Sequence, residues 1–528
     1  MFHGMTTNLH YIMAIAYLTA LLILTVYGVH RYWMVILYYR HAREKPPSPE
    51  HFTDLPTITV QLPLFNERYV SQRVIEAACQ LDYPADKLQI QVLDDSTDDS
   101  AAIAEATCRE MRSMGHDVEY IHRANRHGYK AGALENGLKT CKGEFVAIFD
   151  ADFVPQRDML KQAIHHFTAP EVGCVQTRWE HLNRRHSLLT LCQAIFLDGH
   201  FMIEHTARNR GGRFINFNGT GGIWRKRAIT DAGGWQHDTL TEDMDLSYRA
   251  QLRQWKIVFL RDVVSPAELP PEIISFKQQQ HRWTKGSAQT AIKVLPGLMW
   301  SPLPLRVKIE AFFHLTSGVV YPAAVVLALL VFPTFCFGGP SLLSPSSPLL
   351  WALMMGLFTV MTFSAATFYI VAQKELGANW VRLLPLVPLL MAIGMGISLA
   401  NAAAVIGGLL SRKSGEFLRT PKYGIAAGDH KNHWKGRARS FKQRGSLLAY
   451  LEVIFGLYLV ACMVLAVVLD RAILCLPFLF IFAAGYFYVG FLSLYSQWLS
   501  KRGSVPPSPP ADSGKTLRLR TDVIPAIQ

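Results

Sequence analysis

Residues 144–153 read EFVAIFDADF. An apolar run from Phe145 to Phe149 stops at Asp150 and resumes only after Asp152, as a buried strand does where it reaches the edge of its sheet. Open α/β sheets take their ligands outside the carboxyl ends of the strands. Two carboxylates one residue apart at such an end, Asp150 and Asp152, can hold a hard cation, Mg2+ or Mn2+, with diphosphate oxygens completing its shell. A lone D-x-D is a weak signal, so its weight depends on the rest of the chain.

Working outward, the same shape recurs. TITVQLP (57–63), LQIQVLDD (88–95), VEYIHR (118–123) and GCVQTR (173–178) alternate with amphipathic helical stretches, the pattern of an α/β domain with a mostly parallel sheet. Asp94 and Asp95 end the second of these runs. Taken alone, DDSTDD is an ordinary turn and helix cap; beside Asp150 and Asp152 it becomes a second acidic strand end. RHGYKAGALENG (126–137) reads either as a plain helix start or as a turn that points Lys130 at an anion.

In TLTEDMDLSYRA, Thr241 is placed to cap a helix whose first turn carries Glu242, Asp243 and Asp245. Acids favour a helix N-terminus whatever the function; the functional alternative makes Asp243 a general base, with Glu242 beside it. KQQQHRWTKG (277–286) holds Gln279, Arg282 and Trp283 just before the chain turns apolar. An Arg beside amides suits a diphosphate and an indole face suits a sugar ring, although a lone R-W near a bilayer also serves as an interfacial anchor.

The chain has 528 residues, 50% of them hydrophobic, and a formal charge of +13. Its basic residues gather beside long apolar runs, as on the cytoplasmic flanks of membrane spans, so a nucleic-acid partner is not expected and a lipid bilayer is. Runs at 11–29, 311–337, 349–372, 448–470 and 474–498 are long enough to span. Arg40, Arg43 and Lys45 follow the first run, and no Lys or Arg precedes it, which puts the α/β domain in the cytoplasm. The run at 384–411 is ambiguous between a span and an interface helix, and the basic segment after it favours the interface. No signal peptide is expected, and the eight cysteines show neither a C-x-x-C pair nor zinc spacing. The expected division is a membrane segment at 1–45, a cytosolic domain at 46–295, a membrane region at 296–500 and a disordered Pro/Ser-rich tail at 501–528.

With acids at 94/95, 150/152 and 243, then Q-x-x-R-W at 279–283, then spans, the chain resembles the membrane-embedded processive family 2 glycosyltransferases of the cellulose synthase group. QVLDDSTDD, GYKAGAL, AIFDADF, FNGTGG, TEDMDLSYRA and QQHRW are especially similar to plant cellulose-synthase-like mannan and xyloglucan-backbone synthases. The likeness covers most of residues 55–290 and, more loosely, the membrane half.

The resemblance implies a GT-A (Rossmann-like) cytosolic catalytic domain on a bundle of about five to six spans with interface helices. It implies that Asp94, Asp95, Lys130, Asp150, Gln279 and Arg282 bind the nucleotide-sugar, that Asp150 and Asp152 bind metal, and that Phe217, Asn218, Gly219 and Trp283 face the acceptor, with Asp243 as base. GEFLRTPKYG (415–424) is similar to the family's gating loop, F-x-V-T-x-K-G, through Phe417, Thr420 and Lys422; Arg419 stands where Val is usual, and Tyr423 is inserted before Gly424.

The implied activity is inverting, processive transfer from UDP-glucose onto a growing β-glycan acceptor in the plasma (inner) membrane, with export partner subunits as a further partner class. GDP-mannose is the close alternative donor. A lipid glucosyltransferase and a non-catalytic nucleotide-sugar transporter or sensor remain as alternatives.

Overall fold

The structure is a computed structural model that describes residues 2–44, 49–337, 348–411, 415, 419–425, 447–470 and 473–502. Seven strands form one sheet: β1 (Ile58–Leu64), β2 (Leu88–Asp94), β3 (Val118–His122), β4 (Phe145–Ile148), β5 (Val172–His181), β6 (Gly222–Arg225) and β7 (Lys256–Ala267). Their order across the sheet is β3-β2-β1-β4-β6-β5-β7. β1 runs parallel to β2 and β4, β2 to β3, and β5 to β7, whereas β6 is antiparallel to both of its neighbours. Every residue of β2 and β4 is buried, as expected of central strands covered on both faces, and apolar clusters lie on each face of the sheet.

The five apolar runs noted above are five of the strands. β6 was not legible because only Ile223 and Trp224 of its four residues are apolar side chains, set between glycine and Arg225. β7 was hidden by the charged pair Arg261–Asp262 in its middle, which falls at the irregularity where pairing jumps from Thr177–Leu260 to Arg178–Val264.

Strand direction assembles the site. β1, β2 and β4 are mutually parallel, so Glu67, Asp95 and Asp150 follow strand ends on one edge. β6 runs the other way, so the turn that precedes it, Gly219–Gly221, lies at the same edge.

Among the described residues, five helices are long and apolar enough to cross a membrane: Tyr11–His41, Ser317–Thr334, Ala352–Glu375, Leu447–Val468 and Leu476–Leu499. The ambiguous run forms two helices, Trp380–Gly396 and Ser398–Leu410, bent by 44°. Just before them Gln373 donates to Asp198 of the α/β domain at 2.7 Å, and just after them Lys422 meets Asp152 at 2.5 Å. One crossing would leave these two points on opposite faces of the bilayer. Both flanks of the bent pair are thus tied to the α/β domain. Its small residues permit close packing: a Cβ at Gly396 would lie 2.4 Å from the Gly485 carbonyl, and one at Gly408 2.7 Å from the Lys285 carbonyl.

Candidate active site

The sheet edge opens into a cavity of about 170 Å³. Asp95, Lys130, Asp150, Asp152, Asn218, Gly219, Glu242, Asp243, Gln279, Arg282, Trp283, Thr420 and Lys422 all line it. Residues from widely separated segments thus converge on one space. A second cavity of about 340 Å³ shares Asn218, Asp243, Gln279 and Trp283 with the first and reaches membrane helices at Arg31, Tyr321 and Tyr369.

Each segment is fixed locally. The amide of Asp150 donates to Thr220 Oγ1 at 2.9 Å and that of Gly221 to the Ile148 carbonyl at 2.9 Å, stitching FNGTGG to the end of β4. Gly219 has φ +81°, and a Cβ there would sit 2.8 Å from Asp243 Oδ2, so both backbone and space demand glycine. Gly128 in the left-handed region opens the helix Tyr129–Gly137, and Lys130 at its start meets Asp150 at 2.5 Å and donates to the Gly219 carbonyl at 2.9 Å. Gln279, Arg282 and Trp283 share one face of the helix Ile273–Trp300 by their i, i+3, i+4 spacing.

The helix Glu242–Leu252 separates its acids by direction. Glu242 and Asp243 face the cavity, while Asp245 turns away into ion pairs with Arg249 at 2.8 Å and Lys293 at 3.0 Å. Thr241 does not cap this helix with its side chain; its hydroxyl is 3.2 Å from that of Thr290. The two helices can approach there because Gly286 has no side chain: a Cβ would meet Thr241 Cγ2 at 2.5 Å.

Two expected site residues stand elsewhere, and a third falls outside the described residues. Asp94 is fully buried and pins the turn after β2, accepting from the Ser96 amide at 2.9 Å and the Tyr120 hydroxyl at 2.7 Å, so only Asp95 reaches the cavity. Phe217 lies in the core, edge-on to Trp224 at 5.8 Å, because the alternation of this extended segment turns it inward and Asn218 outward. Phe417 falls outside the described residues.

The cavity also recruits groups that the motifs did not single out. Trp179, at the end of β5, stands 6.4 Å from Trp283 and lines both cavities; its signal was an aromatic residue one position beyond the GCVQTR run. Glu67 follows β1 as Asp95 follows β2, and pairs with Arg419 at 3.0 Å. His200 and Glu204 lie on a π-helical turn, Gly199–His205, with His200 Nε2 3.1 Å from Asn218 Oδ1; π-turns cluster at functional sites but leave no readable sequence pattern.

Seven carboxylates face five Arg or Lys side chains in the first cavity, an acidic excess. Burial, and then Glu242, push Asp243 up to about 7. Burial also raises Glu242, against the pull of Lys130. Lys130 is itself raised: burial opposes its charge, but Asp150, Glu242 and Asp243 outweigh that, so it is a firm cation. Burial lowers Arg282, with Asp150 and Glu242 opposing the shift.

Asp150 and Asp152 each draw an ammonium group, Lys130 and Lys422, both at 2.5 Å. Among the described residues no group of three or more His, Cys, Asp or Glu could enclose an ion. Asp150 and Asp152 are the residues that would hold a divalent cation here; two hard carboxylate groups suit one whose other positions go to phosphate and water.

The profile of the family described as "Glycosyltransferase like family 2" matches residues 56–286, the segment that builds this cavity. Over 421 residues the chain is 33% identical to "Probable glucomannan 4-beta-mannosyltransferase 10" of Arabidopsis thaliana, covering 77% of this chain and 72% of the relative. The chain belongs to the family 2 glycosyltransferases. Within that family it groups with the plant glucomannan mannosyltransferases: "Glucomannan 4-beta-mannosyltransferase 1" of Cyamopsis tetragonoloba is 34% identical, with 77% of this chain and 76% of the relative covered. "Glucomannan 4-beta-mannosyltransferase 2" of Arabidopsis thaliana is 45% identical, but that match spans only 46% of the relative, about half its length, and 46% of this chain. Among solved structures, this glycosyltransferase is similar to "Mannosyltransferase PcManGT from Pyrobaculum calidifontis in complex with GDP-Man and Mn2+", at 23% identity and a TM-score of 0.48, with 68% of this chain and 97% of that chain covered.

Proposed function

We propose that this family 2 glycosyltransferase transfers mannose from GDP-mannose to the end of a β-linked mannan or glucomannan chain. The observation that carries the chemistry is the position of Asp243. It lies where the two cavities join, and its carboxyl titrates at about 7, so it can accept a proton at the boundary between a donor side and an acceptor side. The donor assignment draws support from the relatives, which are named as mannosyltransferases. The UDP-glucose expectation therefore gives way to its alternative.

In this reading Lys130 and Arg282 hold the diphosphate against the sheet edge, with Asp95 on the nucleoside side. Asp150 and Asp152 hold a divalent ion that, when bound, supplies positive charge to the leaving group. Trp283 and Trp179 present indole faces to the acceptor's terminal sugars. Asp243 removes the proton from the acceptor hydroxyl as it attacks the anomeric carbon in line, and a single displacement on an α-linked donor gives a β-linkage. The second cavity, running on to Arg31, Tyr321 and Tyr369, gives the lengthened chain a path toward the membrane helices.

Thermal shifts of the purified protein with Mn2+ and either GDP or UDP test the donor assignment. GDP is expected to stabilise and UDP to do so far less; the reverse order ends the GDP-mannose assignment.

A further inference from the structure

The segment from Arg419 to Ile425 enters the cavity carrying two cations, and both are bound to carboxylates there. Lys422 meets Asp152 at 2.5 Å and Arg419 meets Glu67 at 3.0 Å; all four side chains are at most 14% exposed. Glu268 holds the segment in place. Its fully buried carboxylate accepts the amides of Tyr423 at 2.9 Å and Ile425 at 3.0 Å, and its backbone carbonyl accepts from Lys422 at 3.2 Å. The Tyr423 hydroxyl adds a bond to Glu272. This is a built receptor for a short segment, and its effect is to set an ammonium group on one of the two carboxylates that suit a divalent ion.

We propose that Lys422 is a built-in competitor for the divalent cation, so that the ion binds Asp152 only together with a diphosphate that gives Lys422 a new anionic partner. The proposal rests on the reading of this cavity as a nucleotide-diphosphate and metal site. A divalent ion and the Lys422 ammonium require the same carboxylate, and breaking a buried ion pair leaves one charge uncompensated at a cost of several kcal/mol. An ion arriving alone takes Asp152 from Lys422 and leaves that ammonium on the Glu268 carbonyl, within the field of Glu67 and Asp150 but with no carboxylate in direct contact. An ion arriving with a diphosphate does not leave it so, because the two negative charges that come with it can accept both Lys422 and Arg419. Glu268 acts as a positioning residue: it touches no reacting atom but holds Lys422 on Asp152.

The test is the Mn2+ affinity of the full-length protein in nanodiscs, read from the spin-resonance signal of free Mn2+ with and without GDP. Wild type is expected to bind Mn2+ weakly alone and about tenfold or more tightly with GDP. Lys422→Met is expected to raise the affinity for Mn2+ alone by about tenfold and to shrink the gain from GDP. Glu268→Gln, which loosens the segment without touching either carboxylate of the D-x-D, is expected to move the affinity the same way by less, and serves if Lys422→Met does not fold. Asp152→Asn should abolish binding in both conditions. Wild type with a GDP-dependent gain, but variants whose affinity for Mn2+ alone is unchanged or lower, overturns the competition while leaving the proposed function standing. Wild type with no GDP-dependent Mn2+ binding overturns both.

Discussion

At the residue scale, the proposed reaction turns on Asp243, whose surroundings hold its proton affinity near neutrality. Burial and the adjacent Glu242 raise it to about 7, while Lys130 limits the rise. The free enzyme's kcat/KM is therefore expected to fall on the acid side of about pH 7, and Asp243→Asn to lower kcat by roughly 10²–10⁴-fold while GDP still binds. A variant with wild-type turnover removes Asp243 from the mechanism. The same carboxylate affects stability. The folded group keeps its proton to about pH 7 whereas the unfolded one releases it near pH 4, so ionisation costs the folded state stability as pH rises through that window. Asp243→Asn is accordingly expected to raise the melting temperature by about a few degrees at pH 8, with the gain fading toward pH 5, in a thermal scan.

At this scale the sequence was informative about residue type and less so about direction. Aspartates at strand ends were visible as such, but nothing in DD at 94–95 tells which carboxylate faces the ligand. That depends on Tyr120 and Ser96, which bond Asp94 into the turn. Phe217 was misplaced for a related reason: adjacent residues of an extended segment face opposite ways, and only the packing of Trp224 tells which side is core.

Among the elements, the helix Ile273–Trp300 decides whether the pieces meet. One face carries Gln279, Arg282 and Trp283 to the cavity, and from elsewhere on the helix Lys277 reaches Glu452 at 2.5 Å on a membrane helix. Gly286 then sets how closely it approaches Thr241, two residues before Asp243. Gly286→Ala is expected to push the two helices apart at that contact, to lower kcat by about tenfold or more and to weaken GDP binding by less, since Arg282 moves with its helix while Lys130 stays in place. Unchanged kinetics would mean that the spacing tolerates a methyl group. The polar and aromatic cluster of this helix was evident in the sequence. The role of Gly286 was not, because a close approach between helices distant in sequence leaves no local pattern. β7 was lost in the same way: its central Arg261–Asp262 pair breaks the apolar run, and only the irregular pairing with β5 accommodates it.

For the whole molecule, the sequence conveyed the α/β domain and the apolar helices, because hydropathy and charge asymmetry are carried by many residues at once. What it left open was how many times the chain crosses. Both ends of the bent pair are tied to the α/β domain, so five crossings are expected among the described residues. Single cysteines at Gly377 and Asp470, in a background freed of the eight native ones, are then expected to react with an impermeant thiol reagent from opposite sides of sealed vesicles, Gly377 from the side of the α/β domain. Labelling of both from one side breaks the crossing count.

The central claim is that distant carboxylates, Arg282 and the Trp283 indole form one site that builds a β-mannan chain from GDP-mannose. The most direct measurement is the product made by the purified protein in nanodiscs with Mn2+ and radiolabelled GDP-mannose or UDP-glucose. The account predicts a polymer from GDP-mannose that a β-mannanase degrades, absent with Asp243→Asn. Label appearing only from UDP-glucose, or only in an organic-soluble lipid, would contradict it.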